Sequence, residues 1–131
     1  MRVDVCFPAD DKIQARAKGL TVEIGLPPDR GGDPEAAGPF DLLLCSLALC
    51  TGYHVLSFLE ERGISVADAG LCIEAERDAS SHLLEAVSIK IKVPAGFPDK
   101  YVDAIVRAAG QCPVKAQLGQ APEFHVSVEP A

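Results

Sequence analysis

The stretch from Gly38 to Ser65, GPFDLLLCSLALCTGYHVLSFLEERGIS, organises the rest of the chain. Pro39 suits the first turn of a helix, where its missing N–H costs nothing, and Gly63 suits a stop after Glu60, Glu61 and Arg62. Between them, Leu42 to Leu59 is a run of 18 residues without a charge, apolar almost all round. That length touches the lower limit for a membrane span. However, Cys45, Ser46, Cys50, Thr51, Gly52, His54 and Ser57 interrupt it, and its flanking charges at Asp41, Glu60 and Glu61 are acidic, against the positive-inside pattern. We therefore read Pro39 to Arg62 as a central helix covered on every side by protein.

Outward from this helix, the N-terminal side reads as strands. Val3, Val5 and Phe7 alternate with Arg2, Asp4 and Cys6, and Lys12 to Ala17 and Leu20 to Ile24 follow, with Lys18-Gly19 as the turn between them. Gly25 to Gly38 holds four glycines and three prolines and reads as a long loop, a kind of segment that often carries function. On the C-terminal side, strands near Leu71 to Arg77 and Val87 to Val93 flank the polar stretch Asp78 to His82. A helix is predicted from Pro98 to Ala109, ended by Gly110, then a helical turn opened by Cys112-Pro113-Val114 and closed at Gly119. A last strand is predicted through Phe124, Val126 and Val128. The order βββ, α, ββ, αα, β is that of an α+β fold, with one domain over residues 1–131.

Composition narrows the function. Twelve Lys and Arg against 19 Asp and Glu give a net charge of -7, which repels polyphosphate and argues against nucleic acid as a partner. With 48% hydrophobic and 24% charged residues the chain can pack a core. MRVDVCFPADD lacks the apolar run of an export signal. Cys6, Cys45, Cys50, Cys72 and Cys112 are odd in number and contain no CxxC pair, which suits free thiols in a reducing cytoplasm.

Two of these thiols have a chemical rationale. Cys112 stands at the N-cap of the last helical segment, where free N–H groups and the helix dipole favour a thiolate, and Lys115 adds positive charge. It reads equally as a small residue filling a helix start. Cys50 lies mid-way along the central helix with His54 four residues on, in a stripe with Leu43, Leu47 and Phe58. An imidazolium there would lower the thiol pKa and supply a nucleophile. The same pattern is also that of a buried small residue and a hydrogen-bonded core histidine. Cys45 is about 140° round the helix from Cys50 and is expected in the core. Cys6, Cys72, His82 and His125 read as incidental, and no spacing suits a metal. No cofactor is expected.

The run from Gly38 to Ser65, followed by FPDKYVDAIVRAAGQCPVKAQL from Phe97 to Leu118, resembles the osmotically inducible and organic hydroperoxide resistance superfamily, OsmC/Ohr. A cysteine inside an apolar helix and a second in a CPV turn 62 residues later form the characteristic pair. The resemblance implies an intertwined homodimer with β-sheets wrapped around the buried central helices. It implies Cys50 as peroxidatic and Cys112 as resolving cysteine, an organic hydroperoxide as substrate and a dithiol as reductant. Leu43, Leu47 and Phe58 would then form an apolar wall. The chain departs from the pattern at two places. Where peroxidase members carry a glutamate after the helix-opening proline, this chain has Phe40 and then Asp41, and the first strand turn, Phe7 to Lys12, lacks their arginine. Asp41 lies about 180° round the helix from Cys50 and reads as an acidic first-turn residue. Arg30 in the long loop and His54 are therefore the auxiliary candidates, with Asp41 kept beside them. The retained cysteine pair favours a peroxidase; the missing arginine and glutamate favour a non-peroxidatic binding or sulfur-carrier protein that uses Cys50 in the same pocket.

Overall fold

The structure is a computed structural model describing residues 1–130. It forms two compact units, Met1–Leu43 and the remainder from Leu44 onward. In the first unit, β1 (Asp4–Ala9), β2 (Lys12–Ala17) and β3 (Leu20–Gly25) form an antiparallel meander in that order. Ala17 pairs with Leu20 across the Lys18-Gly19 turn, where φ is 46° and 78°. Two consecutive positive φ values are those of the tight hairpin turn that matches strand twist, and Gly takes one of them without strain. β1 starts two residues later than the alternation suggests and runs through Pro8, with its register broken between Cys6 and Ala9. An edge strand with an irregularity can hold a proline, since its N–H need not pair.

The long loop is not wholly irregular. Pro28–Arg30 makes one 3-10 turn closed by Gly31 in the left-handed region, φ 88°. The Gly32 N–H bonds to the Pro27 carbonyl at 3.0 Å, and a Cβ at Gly32 would overlap the Leu26 carbonyl oxygen. Only glycine fits that approach.

Helix α1 (Pro39–Glu61) opens in the first unit and supplies the core of the second. Its end is fixed by two hydrogen bonds, Gly63 N–H to Glu60 O and Ile64 N–H to Leu59 O, both 3.0 Å, with Gly63 at φ 62°. This is the Schellman arrangement, in which a left-handed glycine satisfies the last free carbonyls and the next apolar residue turns back onto the helix. Ile64 accordingly packs on the core.

The rest of the second unit covers part of α1. β4 (Gly70–Arg77) and β5 (Leu84–Lys92) pair antiparallel, with Leu71 opposite Ile91, Ile73 opposite Ile89 and Ala75 opposite Val87 on one face. On the other face, Lys90 reaches Glu74 at 2.6 Å. β5 begins three residues earlier than predicted because the hairpin zips further towards its loop. After a 3-10 turn at Asp99–Tyr101 come α2 (Val102–Ala109) and α3 (Pro113–Leu118). Val55, Phe58 and Leu59 of α1 and Ile105 and Ala109 of α2 form the buried core, with Leu71, Ile91 and Phe97 packed against it. Phe58 and Tyr101 meet edge to face at 5.9 Å.

Three expectations are corrected. The final strand does not form: residues 121–130 have no regular structure, and Phe124, Val126 and Val128 are exposed. Alternation makes a strand only where a neighbour offers free backbone groups, and none of the described strands pairs with this segment. Helix α1 is not covered on every side. By length and composition it could cross a membrane, yet Leu47, Thr51, Val55, Phe58 and Leu59 are buried within the chain, while Leu49 and Tyr53 are each 71% exposed. Cys45, expected in the core, is exposed for the same reason.

Candidate functional site

The second unit brings together one residue from α1 and one from the start of α3. Cys112 is the N-cap of α3: its backbone is extended, Pro113 follows at the first helical position, and its sulfur accepts the Lys115 N–H at 3.4 Å. This is the capping role the sequence suggests, with a sulfur in place of the usual oxygen. The Lys115 backbone, rather than its ammonium, does the work. Cys112 is 1% exposed, whereas Cys50 is partly exposed, so only Cys50 offers its sulfur to a reactant.

The two thiols are neighbours and titrate as a coupled pair. Interaction with the Cys112 sulfur pushes the Cys50 thiol up, the Val114 N–H opposes this, and burial and the charge on Cys112 add to the rise. Burial pushes Cys112 up. The neighbouring Cys50 thiol, the hydrogen bond from the Lys115 N–H, and the nearby Thr51 hydroxyl and Val114 N–H together outweigh it and hold Cys112 below the ordinary thiol value. The first charge on the pair therefore sits on the inner sulfur. All five cysteines are free thiols.

Thr51 is a member of the site that sequence reasoning passed over. It is fully buried next to Cys50, and its Oγ1 makes no hydrogen bond among the described residues. It lies near enough to the Cys112 sulfur to favour the thiolate there. A hydroxyl inside an otherwise apolar run, adjacent to the cysteine, was the available signal.

The auxiliary candidates lie as follows. His54, one turn beyond Cys50, makes no hydrogen bond to either sulfur and lines a polar pocket with Arg62, Arg107 and Gln111. Asp41 accepts the Gly38 N–H at 2.8 Å, the behaviour of a first-turn acid. Arg30 ends the 3-10 turn in the first unit, exposed, with its N–H on Pro27 O at 2.9 Å. Of the wall residues, Leu47 and Phe58 are buried. His82 sits in the β4–β5 loop with φ 60°, and His125 lies 3.6 Å from Glu123 in the C-terminal segment. Among the described residues no three His, Cys, Asp or Glu side chains cluster to hold a metal ion.

A pH titration tests this arrangement. With Cys6, Cys45 and Cys72 replaced by serine, thiolate absorbance should rise in two steps, one below and one above the ordinary thiol value of about 8.5. Cys112→Ser should remove the lower step and bring Cys50 down towards the ordinary value. Thr51→Val, which keeps the shape, should move the lower step up. One step at the ordinary value in the parent would contradict a shared proton.

Comparison with known proteins places the chain in a family. The family model described as OsmC-like protein matches residues 31–127, most of the chain and both cysteines. The chain belongs to the OsmC-like protein family. Solved structures agree on the fold of this OsmC-like chain. It is similar to a protein of Psychrobacter arcticus assigned to the osmotic stress induced and detoxification response, at 24% identity and a TM-score of 0.73, covering 88% of this chain and 85% of that one. An organic hydroperoxide resistance protein of Elizabethkingia anophelis is similar at 17% identity and a TM-score of 0.64, over 90% and 87% of the two chains. The organic hydroperoxide resistance protein OhrB of Bacillus subtilis is similar at 19% identity and a TM-score of 0.56, over 91% and 90%. No curated protein matches the OsmC-like chain significantly by sequence.

Proposed function

We propose that this OsmC-like protein is a cysteine-dependent reductase of organic hydroperoxides in the cytoplasm, working through Cys50 and Cys112. The observation that carries the reading is the juxtaposition of two thiols 62 residues apart, one partly exposed and one buried. Cys50 attacks the terminal oxygen of the hydroperoxide, and its proton passes to the Cys112 thiolate. The O–O bond breaks, Cys50 becomes a sulfenic acid, and the leaving alkoxide takes a proton to become an alcohol. The Cys112 sulfur then displaces the sulfenic oxygen, which leaves as water, and a Cys50–Cys112 disulfide forms. An external dithiol reduces it to two thiols and is itself oxidised. Arg30, His54 and Asp41 enter this reading only as auxiliary groups.

A second reading, a carrier that holds a sulfur species or an apolar ligand at Cys50, is favoured by one observation: Cys50 keeps its proton more firmly than an ordinary thiol. Consumption of an organic hydroperoxide with a dithiol present separates the two. Turnover that needs both cysteines supports the reductase, and its absence from fully reduced protein supports the carrier.

The protein works as a homodimer in this reading. Leu49, Tyr53, Leu56 and Val66 line an open apolar groove of about 500 Å³ beside α1 and β4, a surface that a second copy about a two-fold axis would cover. Sedimentation at micromolar concentration should give a dimer, and a monomer would contradict the assembly.

A further inference from the structure

The pocket that His54 lines is used by none of the steps above. It measures about 310 Å³ and lies between α1 and α2, walled by His54, Phe58, Arg62, Arg107 and Gln111, with Glu61 at its rim. Neither thiol lines it, but two of its walls lead towards them: Gln111 precedes Cys112 in the chain, and His54 stands one turn, about 6 Å, beyond Cys50. Its far end, at Arg62, is about 18 Å from Cys50 along the helix, with Arg107 one turn, about 6 Å, before Gln111.

The two arginines are in different states. Arg62 is fixed: its guanidinium lies 3.6 Å from the centre of the Phe58 ring and donates to the Phe58 carbonyl at 3.2 Å. It serves the end of its own helix, as a C-terminal cation commonly does. Its contact with Glu61 is long, 3.7 Å, and the Glu61 side chain is 73% exposed, so that pair does little to neutralise it. The Arg107 side chain makes no ion pair or hydrogen bond among the described residues. Two guanidinium groups face one loosely held carboxylate, which leaves the pocket with an excess positive charge in a protein of net charge -7. A planar fork with free N–H groups beside a second, preorganised one matches a carboxylate.

We propose that this pocket is a carboxylate-binding subsite that holds the acidic end of a reactant whose other end meets the Cys50–Cys112 pair. The inference rests on the cysteine chemistry proposed above. The carboxylate belongs either to the hydroperoxide or to the thiol that reduces the disulfide, and Arg107 is the residue that engages it.

The binding arm of the test needs no turnover. Hexanoate and hexanol are titrated into the reduced protein while the arginine Nε–H signals are followed by NMR. Hexanoate, and not hexanol, should shift the Arg107 signal, and binding should weaken about tenfold in Arg107→Gln, the loss of one charge-assisted contact. Arg2→Gln, which changes the net charge equally, should bind as the parent does. In the kinetic arms, 6-hydroperoxyhexanoate is compared with hexyl hydroperoxide, and 6-mercaptohexanoate with 6-mercaptohexanol as reductant of the oxidised protein. Arg107→Gln should lower kcat/KM for the acid alone in one arm, which names the source of the carboxylate. Equal hexanoate binding by parent and Arg107→Gln, or no preference for the acid in either kinetic arm, overturns the subsite. Hexanoate bound at Arg107 with neither hydroperoxide consumed overturns the peroxidase reading instead, and the reductant arm then decides the subsite.

Discussion

Replacing Cys50 with serine should abolish hydroperoxide reduction, by at least about a thousandfold, because it removes the only accessible sulfur of the pair. Cys112→Ser should behave differently. Its Cys50 can still attack, but without the buried thiolate it loses both the acceptor for its proton and the partner for its disulfide. That variant should consume hydroperoxide more slowly, stop as a sulfenic acid when no reductant is present, and react with a sulfenic-acid trap. Stopped-flow consumption of an organic hydroperoxide, paired with intact mass after trapping, reads both variants. Equal rates for parent and Cys50→Ser would remove Cys50 from the chemistry.

The largest expected effect on stability is at Leu59. It is 1% exposed and touches the core shared by α1 and α2, and its carbonyl also receives the Ile64 N–H that ends α1. Leu59→Ala removes buried methyl groups and leaves a cavity that the helix cannot close, which costs about 2–5 kcal/mol. That is a large fraction of the roughly 5–15 kcal/mol typical of a folded domain. Leu83→Ala in the exposed β4–β5 loop should change stability by less than about 0.5 kcal/mol. Urea unfolding of the two variants checks the contrast, and equal losses would show that the core does not centre on Leu59.

What the sequence made legible is what local chemistry determines. Pro39 and Gly63 bound the central helix because one lacks an N–H and the other takes a left-handed φ, and each acts within a turn of its own position. Lys18-Gly19 and Cys112-Pro113 were legible for the same reason. The failures concern cover. Val126 and Val128 alternate as a strand should, but pairing depends on a free edge elsewhere, which no local pattern reports. Cys45 looked like core because α1 is apolar all round, yet in the chain that face lies open. At the site, the cap geometry suggested a thiolate at Cys112, and the resemblance assigned the nucleophile to Cys50. The structure buries Cys112 and leaves Cys50 partly exposed, the arrangement on which the proposed roles rely. The burial of Thr51 beside Cys50 was not legible, because a threonine in a helix does not report which face the fold will close over.

The central claim, that Cys50 and Cys112 form one redox pair, is tested most directly by mapping disulfides after about one equivalent of an organic hydroperoxide is added to reduced protein without reductant. Free thiols are alkylated, and the digest is read by mass spectrometry without reduction. The account predicts one bridge, joining the peptides of Cys50 and Cys112, with Cys6, Cys45 and Cys72 alkylated. A bridge to Cys45, or hydroperoxide consumed with no bridge at all, would contradict it.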